Sequence, residues 1–340
     1  MIITYSCKKE SIIHKERETL QLFDLMFKHI LKEASPTALV HFINGLFGKN
    51  YPPDSAVMFN ATESVGADDE KLEKITSDMV LTIGEDAYLI EAQINDDENI
   101  ALRVFQYGFA YARQMRVIEA DESITLTMPD TRIVYWETSR RTPNQVTLRI
   151  IFPDKTVHMY EVKTFKVLEQ SVEALGERDM VLLLPFYLLK FRREVKKSGA
   201  TVERRRKLAE RMKELLGEVE GVIERGRKSG KISREDATVI YERTAQMYRE
   251  LYSPYKEFKE VYMQLEERLK IHWKDYFQAG IQQGVQQGIQ QGVQQGVQQG
   301  IQQGERRGQE RIMRLLEEGY TLEQIKELLA NESAGNQEIH

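Results

Sequence analysis

The chain has 340 residues, 41% of them hydrophobic and 30% charged, with a formal net charge of −5. That length allows one large domain or two smaller ones with a core that needs no disulfide, and the charge excludes a uniformly basic coat. The single Cys7 excludes an intramolecular disulfide framework and suits a reducing compartment, while the six histidines join no CxxC or HExxH pattern of a zinc site. The opening MIITYSCKKESIIHKERE lacks an apolar signal-peptide core. The most apolar stretch, residues 180–189, is too short to span a bilayer and contains Pro185, so it reads as buried core. These features predict a cytoplasmic protein with no membrane association.

In chain order, residues 15–32 place Leu22, Phe23, Met26, Phe27 and Ile30 at helical spacing. A second helix begins at Ser35-Pro36, an N-cap followed by proline at the first helical position, and stops near Gly48. The period then changes. Residues 56–63, 74–83 and 86–94 have strand composition, with turn-rich Gly66-Ala67-Asp68-Asp69 between the first two. Asn95, Asp96 or Asp97 can cap a helix reaching about Ile118. Residues 131–137, 145–152 and 157–166 read as further strands, and from Val167 onward the pattern is helical, with a capping-box pair at Ser233 and Asp236. This order describes an α/β or α+β sheet domain over residues 15–190, then a helical, locally basic extension over 191–279.

Residues 190–231 hold 15 Lys and Arg against 7 Glu. Such a segment either contacts phosphates or is a solvated helix laced with i,i+4 ion pairs. From Gly280 to Gly304 the chain repeats (Ile/Val)-Gln-Gln-Gly six times. Glycine costs a helix roughly 1 kcal/mol per position against alanine, which favours a flexible tether. Glycine at every fourth position also lets helices approach closely, and an apolar stripe of period 4 drifts about 40° per repeat, opposite in sense to a heptad coil. Residues 280–308 are therefore a tether or an oligomerising helix. Residues 309–331 read as a helical hairpin, with a break at Gly319 and a capping box at Thr321–Gln324; it is a plain hairpin or half of a helix-turn-helix.

The chemistry-bearing feature is Asp78 with Glu91-Ala92-Gln93. If Gly84-Glu85 is a two-residue II′ loop, Asp78 and Glu91 fall directly opposite one another, Cβ atoms roughly 4.5–5.5 Å apart, and Gln93 shares their face. A Glu85-Asp86 loop would put Gln93 opposite Asp78 instead, on the same face. Two facing carboxylates in an apolar setting need neutralising. A hard cation such as Mg²⁺ does this with carboxylate oxygens, a backbone carbonyl and waters. Pairing with Lys28 or Arg103, or plain exposure of the face, does it equally.

In order along the chain, Asp24, Phe27 and Lys28, then Asp78, then Glu91 and Gln93, then Arg103 and Tyr107, resemble the motifs of the recombination-promoting nuclease (Rpn) or YhgA-like transposase group. That group is a branch of the PD-(D/E)XK nucleases, so the resemblance implies the α/β class with a mixed central sheet flanked by helices. Leu184-Pro185 resembles the apolar stretch that follows the nuclease core. The resemblance covers roughly residues 15–190 and implies a Mg²⁺-dependent DNA endonuclease linked to recombination or transposition. Asp78, Glu91 and the carbonyl of Ala92 would bind the metal, and Gln93 would stand where other members carry lysine, as a hydrogen-bonding catalytic residue without charge. Asp24 would be an accessory acid. Lys28 and Arg103 would contact phosphate, with Tyr107 one turn beyond Arg103. The expected partners are DNA and further copies of the chain through residues 280–308. The acidic overall charge keeps open a catalytically inactive protein of the same fold.

Overall fold

The computed structural model describes residues 22–60, 63–65, 74–76, 79–94, 97–197 and 201–326. Asp78, the segment 66–73, and Asn95 and Asp96 lie outside the described residues. The chain divides into two compact units, Met1–Trp273 and Lys274–His340.

The first unit is mixed α/β. Helix α1 covers 22–33 and α2 is Pro36–Phe47. The Ser35 hydroxyl accepts from Ala38 N and Gly48 closes α2 at φ 69°, so both ends fall where the cap residues put them. The last carbonyls of α2 are used by arginines from elsewhere: Arg132 Nε donates to Leu46 O and Arg178 Nη2 to Gly45 O, both at 3.4 Å. Cations at a helix C-terminus complement its dipole.

Six strands form one mixed sheet in the order β1 (Val57–Asn60), β4 (Val80–Ile83), β5 (Asp86–Gln93), β8 (Asp130–Tyr135), β10 (Val157–Lys166) and β9 (Gln145–Ile151). The first three run antiparallel, β5, β8 and β10 run parallel, and β9 returns antiparallel to β10. Two further pairs are separate ribbons: β2 (Glu63–Val65) with β3 (Lys74–Thr76), and β6 (Val117–Ile118) with β7 (Ile124–Thr125). The strand expected over 74–83 is thus split between a ribbon and the main sheet, and the one expected over 56–63 ends at Asn60. Helix α3 occupies Ile100–Gln114, shorter at both ends than the pattern predicts. Asp97 organises its approach through a side-chain bond from Asn99 N at 2.9 Å.

The hairpin between β4 and β5 settles the register question. Ile83 pairs with Asp86 and Val80 with Leu89, so Gly84-Glu85 is the two-residue loop. Gly84 has φ 60° and Glu85 stays at negative φ, which is the II′ pattern. Ile90 N still donates to Met79 O at 3.0 Å, in the same register.

β5 is buried on both faces, with Tyr88, Leu89 and Ile90 fully enclosed. Tyr88, Ile90 and Ala92 face the main core, made with α1, α2, α6 (Val202–Lys228), α7 (Arg234–Tyr252) and the 3₁₀ run Val181–Phe191. That run includes the Leu184-Pro185 stretch; Phe186 stacks on Trp136 with centroids 3.9 Å apart, and Phe27 meets Trp136 edge-on at 5.0 Å. The opposite face is covered by α3: Ile100 and Val104 pack on Ile133 and Tyr135, and Tyr107 and Tyr111 on Val80 and Leu89. Helix α6 follows two short helices, α4 (Val172–Glu177) and α5 (Arg192–Lys196).

Asp236 joins distant parts of this unit. Its carboxylate accepts from Ser35 N at 2.6 Å, Ser35 Oγ at 2.7 Å and Ser233 N at 2.7 Å, while Ser233 Oγ accepts from Asp236 N. One buried side chain therefore satisfies orphan donors at the start of both α2 and α7.

Helix α8 is Lys259–Glu317, and in the second unit it includes every (Ile/Val)-Gln-Gln-Gly repeat. Ile281, Val285, Ile289, Val293, Val297 and Ile301 are each more than half exposed. Gly319 at φ 91° ends the helical run, and Thr321 with Gln324 forms the expected capping box. Among the described residues no helix is long and apolar enough to cross a membrane.

Candidate functional site

Alternation along β5 sends Glu91 and Gln93 to the α3 face, near the carboxyl end of a strand that runs parallel to its neighbour β8. In open sheets this is where ligand crevices form. Glu91 is 2% exposed. Its Oε1 accepts from Gln93 Nε2 at 2.8 Å and from Arg103 Nη2 at 2.6 Å. Arg103 projects from the first turn of α3 and also gives Nη1 to Asp97 Oδ2 at 2.7 Å. Its Nε is buried and makes no hydrogen bond among the described residues. Burial pulls the Arg103 guanidinium down, but the charge and hydrogen bond of Glu91, with Tyr107 and Asp97 adding to them, hold it above its ordinary value.

The sequence spacing offered a metal or a cation as the neutralising group for Glu91, and in this structure the cation is Arg103. Asp97, which bridges to the same arginine, was legible only as a helix-start residue. Tyr107 is half-buried in the small cluster of Val80, Leu89 and Tyr111.

Asp24 and Lys28 pair with each other on α1 at 2.8 Å. Their helix packs on the face that carries Ile90 and Ala92, the reverse of the face that carries Glu91 and Gln93. Ala92 itself is 9% exposed, and its side chain belongs to the main core. Asp78, the second expected metal ligand, lies outside the described residues. Among the described residues no group of three or more His, Cys, Asp or Glu is arranged to hold a metal ion. Of the expected metal ligands the described residues include Glu91 and the main chain at Ala92, two of the six or more oxygens that a hard cation takes.

The rows across the sheet extend the site. Gln93 lies beside Tyr135, and Tyr135 beside Lys166. Trp136 N donates to Gln93 O at 2.8 Å, so the ladder continues one residue further. Glu137 follows, 4% exposed, and takes Arg192 Nη1 at 3.3 Å and Arg193 Nε at 2.8 Å. Sequence reasoning missed this group; its only signal was an acid next to Trp136 at the end of a strand.

The basic segment behaves differently from a free phosphate-binding patch. Arg192 and Arg193 go to Glu137, Arg204 to Glu194, Arg205 to Glu257, Arg225 to Glu173, Arg227 to Glu224 and Lys231 to Asp179. Much of its excess charge is neutralised by carboxylates that the fold brings from outside the segment.

No family model, curated protein or solved structure matches this chain.

Proposed function

We propose that the chain is a divalent-metal-dependent DNA endonuclease of the recombination-promoting, PD-(D/E)XK type. The observation that carries this reading is a carboxylate, Glu91, 2% exposed at the carboxyl end of a central strand, with Gln93 and Arg103 both hydrogen-bonded to it. Desolvating a carboxylate is costly even when a cation pairs with it, and such groups gather at functional sites. In this reading Glu91, Asp78 and the carbonyl of Ala92 hold the metal, which when bound supplies an activated water and charge for the phosphate. Gln93 orients the Glu91 carboxylate and a water or phosphate oxygen through its amide. Arg103 exchanges part of its hold on Glu91 for a phosphate oxygen, using the Nη2 that now binds the carboxylate. Residues 280–308 would bring copies together, because two strand cuts need two sites, and the setting would be the cytoplasm.

Supercoiled plasmid nicking tests it, with Mg²⁺ present or chelated. Nicking that requires the metal and is lost in Asp78→Ala and Glu91→Gln is the expected result. Cutting at the wild-type level by either variant overturns the assignment.

The Arg103–Glu91 pair favours a second reading, a non-catalytic protein of the same fold that acts through assembly. It expects no calorimetric Mg²⁺ binding, and a large fall in molecular mass when residues 280–340 are removed.

A further inference from the structure

The ion pairs of residues 190–231 raise the question of which cations on this chain are placed to meet a phosphate backbone. We propose that the loop 138–142, between β8 and β9, is the phosphate-contact surface for DNA, with Arg140 and Arg141 as the contacting residues. The inference rests on the nuclease reading of the same sheet end and adds to it where the nucleic acid lies.

Position is the first argument. The loop begins two residues after Trp136, whose N–H donates to Gln93 O, so it stands at the carboxyl end of the sheet beside the Glu91–Gln93 site. Its far end is fixed to β10, where Thr164 N donates to Asn144 O at 3.0 Å and Thr164 Oγ1 to Pro143 O at 2.7 Å. Lys166 lies two residues further along that strand.

Order is the second. Ser139 N donates to Thr142 Oγ1 at 2.9 Å, Arg141 N to Ser139 Oγ at 3.0 Å and Thr142 N to Ser139 O at 3.2 Å. The backbone that carries the two arginines is therefore already folded, and less entropy is lost when they engage a ligand.

Charge is the third. Arg140 and Arg141 are exposed and have no acidic partner among the described residues. Arg193 reaches the same loop through Thr138 O at 3.4 Å. Arg140 and Arg141 thus add two positive charges beside the ion pairs of Glu137 with Arg192 and Arg193, on an acidic protein. Arginine forks match phosphate oxygens two at a time, and each phosphate neutralised releases counterions. The paired cations of α6 would first have to give up their carboxylates.

The test is binding of a labelled duplex oligonucleotide to the full chain, read by fluorescence anisotropy with Ca²⁺ present from 50 to 200 mM salt, alongside plasmid nicking in Mg²⁺. Arg140→Gln/Arg141→Gln is compared with Arg206→Gln/Lys207→Gln, which makes the same charge change on the exposed side of α6. The loop variant is expected to bind about tenfold more weakly, with a log–log salt slope shallower by about 1.8, while the α6 variant stays close to wild type. Equal losses in the two variants, or none in the loop variant, overturn this inference and leave the nuclease reading standing. A wild-type chain that neither binds nor nicks DNA removes that reading, and this one with it.

Discussion

Arg103 Nη2 lies 2.6 Å from Oε1 of Glu91, a carboxylate 2% exposed beneath the first turn of α3. The same guanidinium reaches Asp97 at 2.7 Å, so one arginine ties the carboxyl end of β5 to the start of the helix that covers it. Removing one partner of such a pair leaves a buried charge uncompensated. Arg103→Met is expected to cost about 2–4 kcal/mol, below the fully buried case because a third of the Arg103 side chain stays in solvent. Adding Glu91→Gln to Arg103→Met is expected to recover most of that loss. Urea unfolding of the two single variants and the double variant measures the coupling, and strict additivity would show that the contact contributes little.

Asp236 accepts from both the backbone and the side chain of Ser35 and from the backbone of Ser233. Asp236→Ala should leave the first donors of two helices without their acceptor, at a cost of about 2–4 kcal/mol. Asp236→Asn, which keeps one acceptor oxygen, should cost less. Denaturant midpoints at constant m-value check the order of the three proteins.

Two glycines separate packing from propensity. A Cβ at Gly45 would stand 2.0 Å from Arg178 O, a backbone atom that cannot swing away, and Gly45→Ala is expected to destabilise by about 3 kcal/mol or more. At Gly284 a Cβ meets nothing within 4 Å, so Gly284→Ala should raise helix content by its intrinsic preference, roughly 1 kcal/mol. Thermal unfolding of the first variant and far-ultraviolet circular dichroism of the second read these effects. A destabilised Gly284→Ala would point to contacts at that glycine.

The hydrogen bond from Arg227 holds the Glu224 carboxyl below its ordinary range, against a smaller upward push from burial. A carboxyl whose folded pKa is lowered stabilises the fold above its unfolded value, about 4.3, and loses that contribution as pH falls through the folded value. Wild type and Glu224→Gln should therefore differ most near neutral pH and converge towards pH 3. The gap should be no more than about 1 kcal/mol, because the pair is partly solvated. Melting temperatures across that range check the sign.

Features decided within a few residues were legible before any tertiary structure. Ser35, Pro36 and Gly48 set both ends of α2, Gly84 marked a hairpin whose loop the sequence left as Gly84-Glu85 or Glu85-Asp86, and Ser233 with Asp236 set the start of α7. Each depends on backbone dihedrals and hydrogen bonds that close within one turn of chain. Strands β8, β9 and β10 were legible for a related reason, since a period of two survives wherever at least one face is buried. The order of those elements described a sheet domain with helices and left α/β or α+β open; the mixed pairing is set by the packed strands.

What tertiary structure decided is where charges go, because a charged side chain is assigned by whatever the fold brings near it. Glu91 could take a metal or a cation by spacing alone, and α3 delivers Arg103 to it. The surplus of 190–231 looked available in the sequence, yet Glu137, Glu173, Asp179 and Glu257 come from outside the segment to meet it. Asp236 reads as a local cap but also holds Ser35, 201 residues away. Hydrogen-bond geometry repeats along a chain and can be read from it; Coulomb pairing depends on distance through space, which only the packed fold sets.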